Sequence, residues 1–186
     1  MRTEWIVITV LVVIAIYAIV VFNRLVRGRN LVREGWSGID VQLRRRSDLI
    51  PNLVEIVKGY ATHERDLFVD IAAKRTSAIA ANGVPQKAAA EQALQGSLGR
   101  LFAVAEAYPD LKANQNFLEL QQQVAELENQ LQMARRYYNG TVRDFNISMQ
   151  SFPDVVIART FHFREQDFFQ IDAASVAVPN VSFPGA

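Results

Sequence analysis

Residues 5–33 read WIVITVLVVIAIYAIVVFNRLVRGRNLVR, an apolar run that ends in a cluster of arginines. The run from Trp5 to Phe22 holds no charged residue over 18 positions, and as a helix it would span about 27 Å, close to the hydrocarbon thickness of a bilayer. In lipid the backbone must satisfy its own hydrogen bonds, which a helix does even when it is rich in valine and isoleucine. The stretch therefore predicts an N-terminal membrane anchor over residues 1–23.

A cleaved signal peptide and a buried core helix are the alternatives to an anchor. A signal peptide begins with positive charge and ends at a small-x-small cleavage site, whereas here Arg2 is offset by Glu4 and no Ala-x-Ala follows the run. A core helix of a soluble protein normally carries a polar face, and this run has none. The pattern favours the membrane helix.

The arginines after the run predict the orientation of the chain. We refer to Arg24, Arg27, Arg29 and Arg33 as the arginine belt. By the positive-inside rule they place the N-terminus outside and the C-terminal part in the cytoplasm, with a single pass through the membrane. The belt either only enforces this topology or also holds anionic lipid headgroups, which attract a nearby Lys or Arg by about 1 kcal/mol each.

Composition and motifs give no indication of catalysis. The net charge is +1, without a strongly basic face that would bind nucleic acid, and there is no cysteine nucleophile. No Glu-x-x-His pair, P-loop or G-x-S-x-G elbow occurs. We therefore predict no enzyme, no cofactor and no metal site. His63 falls on an apolar stripe and is expected to be a hydrogen-bonded core residue.

Apolar residues beyond the anchor recur at helical spacing, which predicts a bundle over residues 24–153. The anchor is expected to continue to Arg46, where Ser47 and Pro51 would cap and start a second helix that runs to Asn82. Asn82-Gly83-Val84-Pro85 is a strong breaker, and a third helix is expected over 86–107.

A fourth helix over 117–152 carries the strongest periodicity. Its apolar residues advance by steps of three and four in a coiled-coil-like seam of about 54 Å, which favours antiparallel packing in a bundle. The seam comprises Phe117, Leu120, Val124, Leu127, Leu131, Ala134, Tyr138, Val142, Phe145, Met149 and Phe152.

Residues 154–186 are predicted to form an extended, aromatic-rich C-terminal segment. Alternation around Val176, Val178 and Val181 favours an extended chain, and Pro179 and Pro184 exclude a regular helix. The segment either lies along the bundle and buries its phenylalanines, or binds a neighbouring subunit or the headgroup region.

Polar residues near the seams and three glycines are the remaining unusual features. The polar set either fixes helix register through inter-helix hydrogen bonds or forms a ligand or partner surface. Gly28, Gly35 and Gly38 are expected to let helices approach closely. The polar set comprises Asn52, Asn114, Asn116, Asn129, Arg135, Tyr138 and Asn139.

Several motifs together resemble the bacterial LemA family. They are WSGIDVQL at 36–43, DLIPNLVE at 48–55, YPDLKANQNF at 108–117, ARRYYN at 134–139 and VRDFN at 142–146. The resemblance implies a short N-terminal membrane helix followed by a cytoplasmic bundle of long antiparallel helices, and no established biochemical activity. It also implies relatives associated with magnetosome membrane formation and a gene neighbourhood that often includes a membrane metalloprotease.

These features lead to two functional hypotheses. The first is a membrane-anchored, self-associating helical scaffold, a homo-oligomer that organises or shapes a patch of the bacterial inner (plasma) membrane. The alternative is an adaptor that presents its bundle to a membrane protease or signalling protein. Copies should associate with each other in the first case and with one dominant partner in the second.

Overall fold

The computed structural model describes residues 2–170, and within that range the chain forms six helices and no strand. The predicted all-α fold, with an apolar N-terminal helix that continues into a bundle, is confirmed. Predictions for Val176, Val178, Val181 and Phe183 lie outside the described residues. The helices are α1 (Arg2–Lys58), α2 (Arg65–Ala80), α3 (Val84–Ala105), α4 (Pro109–Lys112), α5 (Gln115–Gln150) and α6 (Asp154–Thr160).

Helix α1 is a single unbroken rod of 57 residues, about 86 Å long. Its first part stands clear of the bundle, and its apolar side chains are exposed, from 70% at Trp5 to 59% at Val20. By length and composition it is the one helix in the described range that could cross a membrane. From Val21 onward a stripe that includes Ile39 and Leu43 is buried, so the same helix becomes part of the core.

The predicted break at Ser47 to Pro51 is wrong, because α1 continues through Pro51 to Lys58. Proline has no N–H to donate to the carbonyl four residues earlier, which here is that of Ser47. The Nε–H of Arg75 on α2 donates to this carbonyl instead, at 2.8 Å. A side chain from a neighbouring helix thus satisfies the carbonyl that Pro51 leaves free.

Helix α5 packs antiparallel along α1, and two glycines set how closely they approach. A Cβ on Gly28 would lie 3.0 Å from the Phe145 ring, and one on Gly35 would lie 3.1 Å from the Cα of Tyr138. The expectation for Gly38 is wrong, because a Cβ there would meet nothing within 4 Å.

The periodic seam of α5 faces the core over nearly its whole length. Phe117, Leu131 and Val142 are buried, as are most other members of the seam. The exception is Phe152, which lies beyond the end of α5 and is 85% exposed.

The end of α1, α2 and α3 surround a second apolar core together with α4 and the start of α5. The chain turns between Lys58 and Arg65, where a continuous helix was expected, and Ala61 is fully buried in that turn. His63 lies exposed in the same turn, which corrects its expected place in the core. The predicted break before α3 is confirmed, with Gly83 at φ +85°.

Residues 154–160 form helix α6, where an extended chain was expected. Asp154 and Ala158 share one face of α6 at i and i+4, and both are buried. Residues 161–170 follow without regular secondary structure; we call them the tail segment. It returns along α5 and buries Phe169, while Phe161 and Phe168 stay 54% and 38% exposed.

Candidate functional site

Two asparagines of α5 hold the tail segment by pairing with its backbone. The Asn139 amide donates to the carbonyl of Phe169 at 3.2 Å and accepts from its N–H at 2.9 Å. Asn146 pairs with Gln166 in the same way, at 2.9 and 3.0 Å. Asn139 and Asn146 are seven residues apart on α5, a rise of about 10.5 Å. Their partners in the tail segment are three residues apart, which in an extended chain is about 10 Å, so the two pairs can form together.

An aromatic cluster anchors the end of the tail segment. Phe169 lies 6.0 Å from Trp36 between ring centroids, and Trp36 lies 5.7 Å from Tyr138. The hydroxyl of Tyr138 donates to the carbonyl of Asp167 at 2.8 Å. Burial, followed by the negative charge of Asp167, raises the pKa of Tyr138 to about 12.

A buried ion cluster connects α1, α3 and α5. Arg46 is 1% exposed, and its guanidinium forms ion pairs with Glu91 and, at 2.5 Å, with Glu128. Glu91 is also buried, whereas the side chain of Glu128 is 24% exposed. Charged groups are placed in a protein interior only when they are paired, so this cluster fixes the three helices relative to one another.

Arg135 joins the buried ion cluster to the tail segment. Its guanidinium carbon lies 5.2 Å from the centre of the Phe169 ring. Burial, and then repulsion by Arg46, lowers the pKa of Arg135, although the nearby Glu128 and Glu91 oppose that shift. Its Nε and one terminal nitrogen are buried without a hydrogen-bond partner. Beside it an open groove of about 550 Å³ is also lined by Arg136, Arg143 and Phe168.

The four residues of the arginine belt have different surroundings. Arg24 forms an ion pair with the buried Asp154 of α6, which also accepts a hydrogen bond from the hydroxyl of Tyr17 at 3.2 Å. The guanidinium of Arg29 lies 5.3 Å from the centre of the Phe163 ring. Arg27 and Arg33 are exposed.

The structure brings only part of the predicted polar set together. Arg135, Tyr138 and Asn139 meet at the tail segment. Asn114 instead caps the N-terminus of α5, where it accepts from the N–H of Phe117 at 3.1 Å, and donates to the Tyr60 hydroxyl at 3.0 Å. The others are exposed and separate from this site: Asn52, Asn116 and Asn129.

Sequence reasoning missed the partners of Arg46 and Arg24. A signal existed for Arg46 and Glu91, because each lies three residues after a buried apolar residue, on the buried stripe of its helix. No comparable signal marked Asp154, whose partners are 130 and 137 positions away in the sequence. In the part of the chain that the structure describes, no group of His, Cys, Asp or Glu residues could hold a metal ion.

The exposed apolar segment and the bundle define a class, a membrane-associated helical protein. The chain belongs to the LemA family, whose pattern it matches over residues 35–183. Magnetosome protein MamQ 2 of Paramagnetospirillum magneticum is 26% identical, covering 88% of this chain and 71% of the relative. MamQ of Magnetospirillum gryphiswaldense is 22% identical over 72% of this chain and 58% of its own. Protein LemA of Metamycoplasma hominis is 24% identical, covering 80% of this chain and 68% of the relative.

Proposed function

We propose that this protein is a membrane-anchored scaffold that self-associates and organises a patch of the bacterial inner membrane. The observation that carries the proposal is the continuity of α1, whose apolar segment and bundle segment form one helix from Arg2 to Lys58. A flexible linker would let the bundle move independently of its anchor. A continuous helix transmits any tilt of the bundle to the bilayer.

Self-association is needed because a single copy of such a rod exerts little force on a membrane. One side of the α1–α5 pair offers a surface for it. Four large apolar side chains near the contact of Gly35 with α5 are between 40% and 61% exposed: Leu31, Val41, Met133 and Tyr137. Gly38 lies one turn from Gly35 on that side, with open space where its side chain would be. A second rod could approach closely there.

The relatives support a role in membrane organisation. Two of them are named as magnetosome proteins, and their matches cover 88% and 72% of this chain. We extend that association to this chain as a part of the proposal.

A matched pair of cysteine variants tests self-association, because the chain has no cysteine of its own. Gly38→Cys places a thiol on the proposed contact surface, and Gly99→Cys places one at an equally open position on α3. With a short bis-maleimide in native membranes, we expect a covalent dimer from Gly38→Cys and none from Gly99→Cys. A monomer from both, together with a monomeric mass in detergent, would refute self-association.

The same approach tests orientation. We expect a membrane-impermeant maleimide to label Thr3→Cys in intact spheroplasts, and to label Gly99→Cys only after lysis. The reverse pattern would place the bundle outside.

An adaptor is the second candidate, and the groove beside Arg135 favours it. Arg136 and Arg143 line this groove together with the partly exposed Phe168. Guanidinium groups around an apolar ring suit an acidic peptide that carries an aromatic residue. An adaptor predicts that Gly38→Cys does not dimerise and that Arg136→Glu with Arg143→Glu abolishes the recovery of one dominant partner at near-equal amounts.

A further inference from the structure

Three contacts fix α6 and the start of the tail segment beside the end of the apolar run of α1. Asp154 accepts a hydrogen bond from Tyr17 and forms an ion pair with Arg24. The ring of Phe161 lies 4.8 Å from that of Phe22, the last residue of the apolar run. Tyr17 lies five residues before Phe22, about 7.5 Å along the helix. Residues 154–161 therefore sit at the depth where the proposed span ends.

The outer surface of this region is apolar. Phe152 is 85% exposed, and Val156 and Phe161 are each 54% exposed. Phe152 and Val156 lie off the docked face of α6, which buries Asp154 and Ala158 against the rest of the chain. Phe161 contacts Phe22 and still leaves about half of its surface exposed. Arg159 and Arg164 are also exposed, next to them in the sequence.

The depth of this surface identifies what would cover it. Aromatic rings favour the boundary between acyl chains and headgroups, and arginine side chains reach from that depth to lipid phosphates. The only acidic side chain of α6, Asp154, is neutralised by Arg24 and removed from lipid by burial. A charge without a partner would be costly at this depth, whereas a buried ion pair is tolerated.

We propose that residues 152–161 form a second membrane contact, in which Phe152, Val156 and Phe161 insert at the headgroup–acyl boundary beside the anchor. This inference rests on the proposed membrane span of α1. An anchor alone permits rotation about its own axis, and a second contact on one side would fix which face of the bundle looks towards the bilayer.

Depth-dependent quenching tests this contact in the full chain. Single-cysteine variants Phe152→Cys and Val156→Cys carry an environment-sensitive NBD label, in vesicles of phosphatidylcholine and phosphatidylglycerol that contain lipids spin-labelled at a shallow or a deep acyl position. Val12→Cys reports on the anchor, and Gly99→Cys is a control far from the membrane. All four sites are exposed, and circular dichroism checks that the helix content is unchanged.

We expect shallow spin labels to quench the labels at 152 and 156 several-fold more than the label at 99, and deep spin labels to quench the label at 12. Quenching at 12 but not at 152 or 156 would overturn the second contact and leave the anchor intact. No quenching at 12 would refute the proposed span and this inference with it. A blue-shifted label at 156 without lipid quenching would show that protein covers this surface, which also overturns the proposal.

Discussion

Arg46 lies on the buried stripe of α1, where an apolar residue would be the simpler choice. Its charge is compensated by Glu91 and Glu128, and Arg135 brings the cluster to two positive and two negative side chains. Replacing such a cluster by apolar residues is often neutral for stability, whereas removing one member leaves an unpaired buried charge. The consequence of a substitution therefore depends on which charge remains.

The ion cluster gives a first prediction. We expect Glu91→Ala to lower the free energy of unfolding by about 3–5 kcal/mol, because Arg46 loses its buried partner. Glu128→Ala should cost less, since the Glu128 side chain is 24% exposed and water can replace it. The double variant Arg46→Met with Glu91→Leu should recover most of the loss. Urea unfolding in mild detergent measures all three, and equal losses for the single and the double variants would contradict the argument.

Tyr138 gives a prediction for alkaline pH. Because its pKa is raised from 10.0 to about 12, the folded protein holds a proton that the unfolded chain loses above pH 10. This contribution to stability is fully present below pH 10 and is lost as the pH rises towards 12. Tyr138→Phe loses the hydrogen bond to Asp167, so it should be about 1 kcal/mol less stable at pH 7.

The difference in the free energy of unfolding between Tyr138→Phe and the parent protein should then close between pH 10 and 12. The variant has no hydroxyl at this position, so it does not lose stability by its titration. Urea unfolding at a series of pH values measures it. Tyr137→Phe, at an exposed neighbour, serves as the control. A gap that stays constant up to pH 12 would contradict the assignment.

At the scale of elements, two kinds of contact hold long helices together. Backbone approach at Gly35 brings α5 against α1, and amide pairing at Asn139 and Asn146 holds the tail segment against α5. The first contact excludes a larger side chain at Gly35, and the second requires a side chain that both donates and accepts, as an amide does.

The close approach gives a matched pair of substitutions. Gly35→Ala would place its Cβ 3.1 Å from the backbone of Tyr138, which cannot move without shifting α5, so we expect a loss of about 1–3 kcal/mol. Gly38→Ala meets open space and should gain up to about 1 kcal/mol from helix propensity. Thermal unfolding of both variants measures the difference. Similar melting temperatures for the two would contradict the packing.

The amide pairs give a prediction for the tail segment. An aspartate at 139 could still accept from the N–H of Phe169, but its second oxygen would face the Phe169 carbonyl and repel it. Asn139→Asp should therefore weaken docking of the tail segment at neutral pH more than Asn139→Ala does. We expect faster hydrogen exchange at residues 166–169 in both variants. Asn129→Ala, at an exposed site on the same helix, should leave that exchange unchanged. Unaltered exchange in Asn139→Asp would refute this docking.

Local patterns in the sequence predicted the elements better than the contacts between them. The apolar run, the breaker at 82–85 and the seam of α5 are patterns within one segment, and each was predicted. The continuation through Pro51 depends on Arg75, which lies 28 positions from its acceptor Ser47, and the partner of Asn139 is 30 positions away. Periodicity marks Arg46 and Glu91 as buried positions, but it does not identify a distant partner, so the pairing within the ion cluster and the α6 contacts could not be predicted.

At the scale of the whole molecule, the proposed anchor and the bundle share one core. Val21 and Leu25 are buried with residues of α5, α6 and the tail segment, so the apolar core reaches the end of the apolar run. The part of the molecule next to the membrane therefore depends on residues of the anchor itself.

This shared core predicts the effect of removing the anchor. A chain of residues 24–186 lacks Tyr17 and Phe22, which contact Asp154 and Phe161. We expect hydrogen exchange in residues 154–161 to rise strongly, while the core around α2 and α3 stays protected because its contacts lie at the other end. Exchange measured by mass spectrometry, with the full chain in detergent as the control, checks this. Unchanged protection at 154–161 would contradict the shared core.

The continuity of α1 through Pro51 depends on two helices. Proline removes a backbone hydrogen bond from α1, and Arg75 of α2 supplies a donor to the same carbonyl. Without that donor, the helix would have a weak point about five turns beyond the arginine belt, of the kind at which helices bend. Helix α2 therefore supports α1 at this weak point through Arg75. The rigid connection between the proposed anchor and the end of the bundle thus depends on a guanidinium contact far from the bilayer.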